Sequence, residues 1–314
     1  MNDLQSKYYN LNNSFKKKLV FHLGAEAGFF SEYNNMILAM LYCLTNNIKF
    51  VLYSEDANFG YKEGWNDYFL PFCDENKNSF HTKYNFRNHE YLQNQLSSRD
   101  KLKIQYHKFS NKIDFLTQDL WLAVHNRVHE KGHFLIPELG IDGDLRSACR
   151  KLIEITWRYN PHTNERVEKL KDSLNLPSQY IGFHIRRGDK HIEQNPIDIS
   201  VYFDKLSSIE DYPKNAFVLT DDYNVITDIK EMHLDWNIFT LCKETERGYI
   251  HSEFQKMSKE QIKEAHINLF TSIDILNKAQ YFVGTYASNP GMYLGMRMDA
   301  KKCLSIDLDN WQIW

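Results

Sequence analysis

The chain has 314 residues, 42% of them hydrophobic and 25% charged, and a formal net charge of -3. That is the balance of a folded globular protein, and it excludes a disordered chain, a collagen-like repeat and an extended basic face for nucleic acid. The length suffices for one large or two medium domains that hold together by packing alone. Cys43, Cys73, Cys149, Cys242 and Cys303 lie tens of residues apart with no C-x-x-C among them. They predict idle thiols in a reducing compartment, neither a disulfide framework nor a zinc site. The polar start Met1–Asn10 lacks the apolar core of a secretory signal, and the longest apolar run, Met36–Leu44, is under half of what a membrane span needs. A cytoplasmic protein with no integral membrane segment is expected.

In chain order, Leu19–Leu23 reads as a strand, followed by a loop with Gly24 and Gly28. Ser31 is the expected N-cap of a helix through Met36, Ile37, Met40, Leu41 and Leu44, and Ile48–Tyr53 is the next strand. Strand, helix, strand within about 35 residues is a βαβ unit. From Ser54 to about Leu135 the pattern weakens into loops and helices. Thr163 or Asn164 can cap a helix presenting Val167, Leu170 and Leu174, which Pro177 ends. Ile181–Arg186 alternates apolar with polar or small residues and predicts a strand, as do Phe217–Thr220 and Tyr281–Thr285. Between the last two, Ser258 and Gln261 form a capping box for a helix through Ile262, Ala265, Leu269, Ile273 and Leu276. Pro290 sits where a first helical residue belongs. Two α/β domains are expected, over 1–175 and 176–314.

In open α/β sheets ligands bind beyond the carboxyl ends of the strands, where strand order reverses. The three strands of the second half end in Arg186-Arg187-Gly188-Asp189-Lys190, in Asp221-Asp222 and in Ser288-Asn289-Pro290. Paired arginines suit a phosphate because a guanidinium offers a fixed fork of donors and keeps its charge. A helix start adds backbone N–H groups and the positive end of the macrodipole. Taken singly, each segment also reads as a turn or a cap. Together, at three successive strand ends, they predict a diphosphate site.

These residues resemble a known family. His184-Ile185-Arg186-Arg187-Gly188-Asp189 matches the H-x-R-R-x-D motif of the α1,2-, α1,6- and protein O-fucosyltransferase superfamily. Phe217–Asp222 and Phe282–Ser288 resemble its second and third motifs. Within it the chain is most similar to the core α1,6-fucosyltransferase: Tyr61-Lys62-Glu63-Gly64-Trp65 resembles Y-A-x-G-G-W, and Trp157-Arg158-Tyr159-Asn160-Pro161 resembles W-R-P-x-P.

The likeness, from about Leu19 to Arg297, implies two Rossmann-like domains of GT-B type. It also implies an inverting, metal-independent transfer of fucose from GDP-fucose to an oligosaccharide or glycoconjugate, with residues 1–175 on the acceptor side and 176–314 binding the GDP-sugar. By the same resemblance His184 sits near the guanine end of the donor and Arg186 binds the β-phosphate, with Arg187, Asp189 and Lys190 completing the motif. Ser288 and Asn289 touch the nucleotide, Tyr61 reaches across from the first domain, Asp222 matches the last aspartate of the second motif, and Asp274, two residues out of register, is assigned to the family's guanine-reading aspartate. Glu193, after one deleted residue, is the candidate base, with Arg186 and Lys190 beside it in catalysis. The family's glycine-rich first loop is replaced by Gly24-Ala25-Glu26-Ala27-Gly28, and neither a transmembrane stem nor an SH3-like extension is expected.

Three other readings compete. His125, His129, Glu130 and His133 could grip zinc, but their order is H-x-x-x-H-E and Gly132 is expected to end the helix before His133. A different GDP-sugar could be the donor, since the motif reads the diphosphate. A non-catalytic nucleotide-sugar-binding protein would carry the same residues.

Overall fold

The computed structural model describes residues 3–25, 27–87, 95–188 and 197–313, without the side chains of Arg127, His129 and His251. The chain divides into two compact units, Met1–Asn160 and Pro161–Ile313. The division falls ahead of the expected one near 175 because the helix Pro161–Ser173 packs against the helix Lys259–Lys278, with Arg166 and Glu264 paired between them.

In the first unit, β1 (Lys17–His22) pairs in parallel with β2 (Ile48–Tyr53) and with the short β3 (Phe115–Leu116), in the order β2-β1-β3. The helix Phe29–Thr45 connects β1 to β2 and buries every residue but Ser31 and Thr45, as its continuous apolar run demands. Its N-cap is Gly28 and not Ser31, whose hydroxyl instead accepts a hydrogen bond from Arg87. Glu32 explains the shift. Its buried carboxylate accepts from the backbone N–H groups of Gly24 and Ala27, at 3.1 and 2.9 Å, and from Arg87 at 2.7 Å. The β1–helix loop is thus folded onto one carboxylate from the first turn of the helix that follows it, where negative charge is favoured.

The weakly patterned stretch after Ser54 holds the helices Phe80–Tyr84, Ser98–Ser110 and Thr117–Glu130, and the hairpin of β4 (Phe134–Ile136) and β5 (Ile141–Gly143). The Tyr61–Trp65 and Trp157–Asn160 segments meet within this unit. Phe69 stacks on Trp65 with ring centroids 4.3 Å apart and lies 5.1 Å from Trp157, and the backbone of 68–70 pairs with that of 158–160. Both tryptophans are core aromatics.

The second unit is a doubly wound sheet. All five strands are parallel: β6 (Ile181–Ile185), β7 (Asn215–Thr220), β8 (Asn237–Phe239), β9 (Tyr281–Gly284) and β10 (Cys303–Ser305), in the order β10-β9-β6-β7-β8. Ile181, Phe183 and Ile185 point to one face, into a core with Ile199, Tyr202, Leu206 and Ile226. Gly182 points to the other, where an added Cβ would stand 2.7 Å from Leu276 on the helix Lys259–Lys278. That helix carries the expected capping box, Ser258 with Gln261. Central strands of parallel sheets are covered on both faces, which is why every residue of β6 is buried.

Glu32→Ala should therefore destabilise the first unit by about 3–5 kcal/mol, because it strands a guanidinium and two loop amides together. Urea unfolding measures this, and a change within about 0.5 kcal/mol would show that the loop holds without the carboxylate.

Candidate functional site

The sheet order of the second unit sets the site. From β6 the chain steps outward to β7 and β8, then returns to place β9 on the other side of β6, so strand order reverses between β6 and β9. Backbone amides and side chains beyond the carboxyl ends of two such strands have no neighbouring crossover above them, and a crevice results. Arg186 leaves β6 on one side of it, and Ser288 and Asn289 follow β9 on the other.

One carboxylate organises the first side. Asp221, just past β7, accepts hydrogen bonds from the backbone N–H groups of Arg187 at 2.7 Å, Gly188 at 3.0 Å and Tyr249 at 3.0 Å. Its own carbonyl accepts from Gly248 N–H at 2.7 Å. Gly188 is packed so closely on this segment that a Cβ would lie 2.1 Å from the Tyr249 carbonyl oxygen and 2.7 Å from the Asp221 carboxylate, so only glycine fits. The same contact brings the Tyr249 ring under Arg186, whose guanidinium carbon is 5.6 Å from the ring centroid. A guanidinium so placed is attracted by the negative face of the ring and keeps its charge.

Strand alternation separates the two arginines. Arg187 shares the face of Ile185, and its guanidinium donates to the Ile197 carbonyl at 2.8 Å. Arg186 shares the face of His184. Burial is the main cause that brings His184 down to about 4, and the charge of Arg186 adds to it. The ring is neutral at pH 7, and its Nδ1 is buried with no hydrogen-bond partner among the described residues. An unmade bond of this kind costs about 1–3 kcal/mol.

The second side is built tightly as well. Ser288 is buried. Its hydroxyl accepts from Gly291 N–H at 3.2 Å and donates to the Thr285 carbonyl at 3.0 Å, capping the helix Asn289–Arg297. Asp307 accepts from Tyr286 N–H and Ala287 N–H at 2.8 and 2.9 Å and holds the preceding turn. Pro290 is the second helical residue, not the first, and carries no N–H, while the Gly291 N–H is taken by Ser288. This helix start thus offers fewer free amides than the sequence suggests.

Asp222 accepts from Asn224 N–H at 3.0 Å and shapes the turn into the next helix, so its neighbour Asp221 is the organising aspartate. Asp274 is not brought to the crevice. It lies one turn from the end of the helix that feeds β9, at the opposite edge of the sheet, paired with Arg297 at 2.6 Å and Lys171 at 3.5 Å. Tyr61 belongs to the first unit, where the Asp67 carboxylate accepts from the N–H groups of Tyr61, Lys62 and Glu63. Asp189, Lys190 and Glu193 lie outside the described residues. Of the histidines weighed as zinc ligands, His125 bonds the Trp121 carbonyl and Asn35, and His133 pairs with Asp142, so these two do not converge. Asp221 was the residue left out of the expected set. Its signal was the R-R-G turn itself, whose successive N–H groups need an acceptor from the adjoining strand end.

No protein-family model matches the chain, and no curated protein matches it in sequence. Among solved structures it is similar to the NodZ α-1,6-fucosyltransferase soaked with GDP-fucose, with 14% identity over 90% of this chain and 93% of that one and a TM-score of 0.54. The fucosyltransferase NodZ from Bradyrhizobium matches at 13% identity over 90% and 94%, again with a TM-score of 0.54. The chain has the α/β fold of these GT-B enzymes.

Two measurements check the site. His184 takes no proton in the folded chain until about pH 4, whereas the unfolded chain takes one near its ordinary value of 6.5. Its contribution is therefore a loss of stability as pH falls from 6.5 towards 4, up to about 1.4 kcal/mol per unit. The His184→Phe variant should show a shallower decline in urea unfolding across that window, and an unchanged slope would mean the ring is already solvated. Asp221→Asn should weaken binding to a diphosphate about tenfold by loosening the turn that carries Arg186, although Asp221 itself faces backbone amides. Calorimetry with GDP reads this, and wild-type affinity in the variant would show that the turn needs no carboxylate.

Proposed function

We propose that the protein is an inverting, metal-independent glycosyltransferase that moves L-fucose from GDP-fucose to a hydroxyl of an oligosaccharide or glycoconjugate, in an α1,6-like linkage. The observation that carries the proposal is the crevice between β6 and β9, where a guanidinium held over Tyr249 stands on the same strand face as a neutral, buried histidine with an unmade hydrogen bond. The H-x-R-R-x-D resemblance of that strand and its fold, shared with a fucosyltransferase whose crystals were soaked with GDP-fucose, support the same reading.

In this reading Arg186 binds the diphosphate and His184 completes its unmade bond with the nucleotide. Arg187, Asp189 and Lys190 hold the turn, while Ser288 and Asn289 close the far side. The acceptor oxygen attacks the anomeric carbon from the face opposite the departing GDP. The bond from that carbon to the phosphate oxygen breaks as the new one forms, which inverts the centre. The Glu193 carboxylate takes the acceptor's proton. As the bond to phosphate stretches, negative charge grows on the leaving diphosphate. A guanidinium about 5 Å away, at an effective dielectric near 20, contributes roughly 3 kcal/mol. If that contact tightens only in the transition state, it is worth about two decades in rate.

A transfer assay with GDP-fucose over an array of glycan acceptors tests the proposal. Turnover is expected with GDP-fucose, little is expected with GDP-mannose, and EDTA should leave the rate unchanged. Arg186→Ala should abolish transfer and weaken GDP binding at least tenfold. Glu193→Gln should cut turnover while sparing GDP affinity. Preference for another GDP-sugar would move the donor assignment, and GDP binding without transfer to any acceptor would leave a binding protein.

A further inference from the structure

The helix Ser98–Ser110 of the first unit is amphipathic in an inverted sense. Its inward face buries Ile104 and His107. Its outward face carries Leu102, Tyr106 and Phe109, at 70%, 74% and 84% exposure. These three follow one another at the i, i+4, i+7 spacing and form a single stripe about 10 Å long. Isolated exposed apolar side chains are ordinary, but three aligned on one helix face mark a contact surface.

The charges around the stripe say what it contacts. Arg99 and Lys103 flank it on one side and Lys101 on the other, all exposed. The helix's acidic residue, Asp100, lies off the apolar stripe and accepts from the Tyr84 and Ser97 hydroxyls at 3.0 and 2.6 Å. Lys108 is occupied by Asp119 at 2.8 Å. The outward arc is therefore apolar in the middle and cationic at both margins, in a chain whose net charge is -3. Two-fold pairing with a second copy would set these margins cation against cation. A sheet of anionic headgroups above an apolar interior complements both features at once.

We infer that this helix lies on anionic membrane surfaces. Leu102, Tyr106 and Phe109 enter the boundary between headgroups and acyl chains, and Arg99, Lys101 and Lys103 sit on the lipid phosphates. No helix among the described residues is long and apolar enough to cross a bilayer. The attachment stands independently of the transfer reaction.

Sedimentation of the intact protein with phosphatidylcholine vesicles, with and without phosphatidylserine, tests the inference. Binding at least about tenfold stronger with phosphatidylserine is expected, weakening as sodium chloride rises. Each of Arg99→Gln, Lys101→Gln and Lys103→Gln should lower partitioning by about fivefold, the equivalent of about 1 kcal/mol per cation. The combined Leu102→Ser, Tyr106→Ser, Phe109→Ser variant should lose binding while keeping its unfolding midpoint, since all three positions face solvent. Tyr106→Trp should give a blue-shifted emission on adding anionic vesicles. Equal binding by wild type and the serine variant, or an unshifted Tyr106→Trp emission, would overturn the inference. So would a wild-type dimer that the serine variant dissociates, because the stripe would then belong to a second copy.

Discussion

Asp221 holds together two pieces of chain, the turn that leaves β6 and the segment at Tyr249. Its carboxylate is the acceptor for three backbone N–H groups, two in the turn that leaves β6 and one at Tyr249. Charge-assisted bonds of this kind are among the stronger polar contacts in a protein, and three on one carboxylate leave its position little freedom. The turn fixes where Arg186 begins, and Tyr249 fixes the surface it lies over. Gly188 is the steric counterpart, since any side chain there would separate the two segments.

The sheet then converts position into chemistry. Because side chains alternate along a strand, two adjacent arginines serve opposite purposes: Arg187 ties the turn to the Ile197 carbonyl and Arg186 remains on the crevice face. Burial, with the charge of Arg186 adding to it, keeps His184 neutral, so that the pair offers one fixed cation and one uncharged ring. The helix after β9 is capped by its own serine and contains a proline in its first turn. It contributes shape and dipole more than free amides. In the proposed reading, a diphosphate bound here would depend chiefly on the Arg186 guanidinium.

Much of this was legible in the sequence. The βαβ unit at β1 and β2, the buried strand Ile181–Ile185 and the Ser258 capping box follow from periodicity and capping, which are local properties. What was not legible depends on contacts between distant segments. Ser31 looks like a cap, yet Glu32 pulls the loop inward and moves the helix start to Gly28. Asp221 and Asp222 are indistinguishable as neighbours in a turn, and only the position of the Arg187–Gly188 amides decides between them. Asp274 has the right residue type on the right helix, but a helix that feeds a strand puts its last turn at the wrong edge of the sheet. The short strands β3, β8 and β10 have too few residues to show a period.

The central claim is that a carboxylate-anchored turn delivers Arg186 to the nucleotide. A crystal structure with GDP bound tests it most directly. The diphosphate should lie within hydrogen-bond distance of the Arg186 guanidinium, between the ends of β6 and β9, with the three amide bonds to Asp221 intact. GDP bound elsewhere, or in that crevice with Arg186 turned to bulk solvent, would contradict the account.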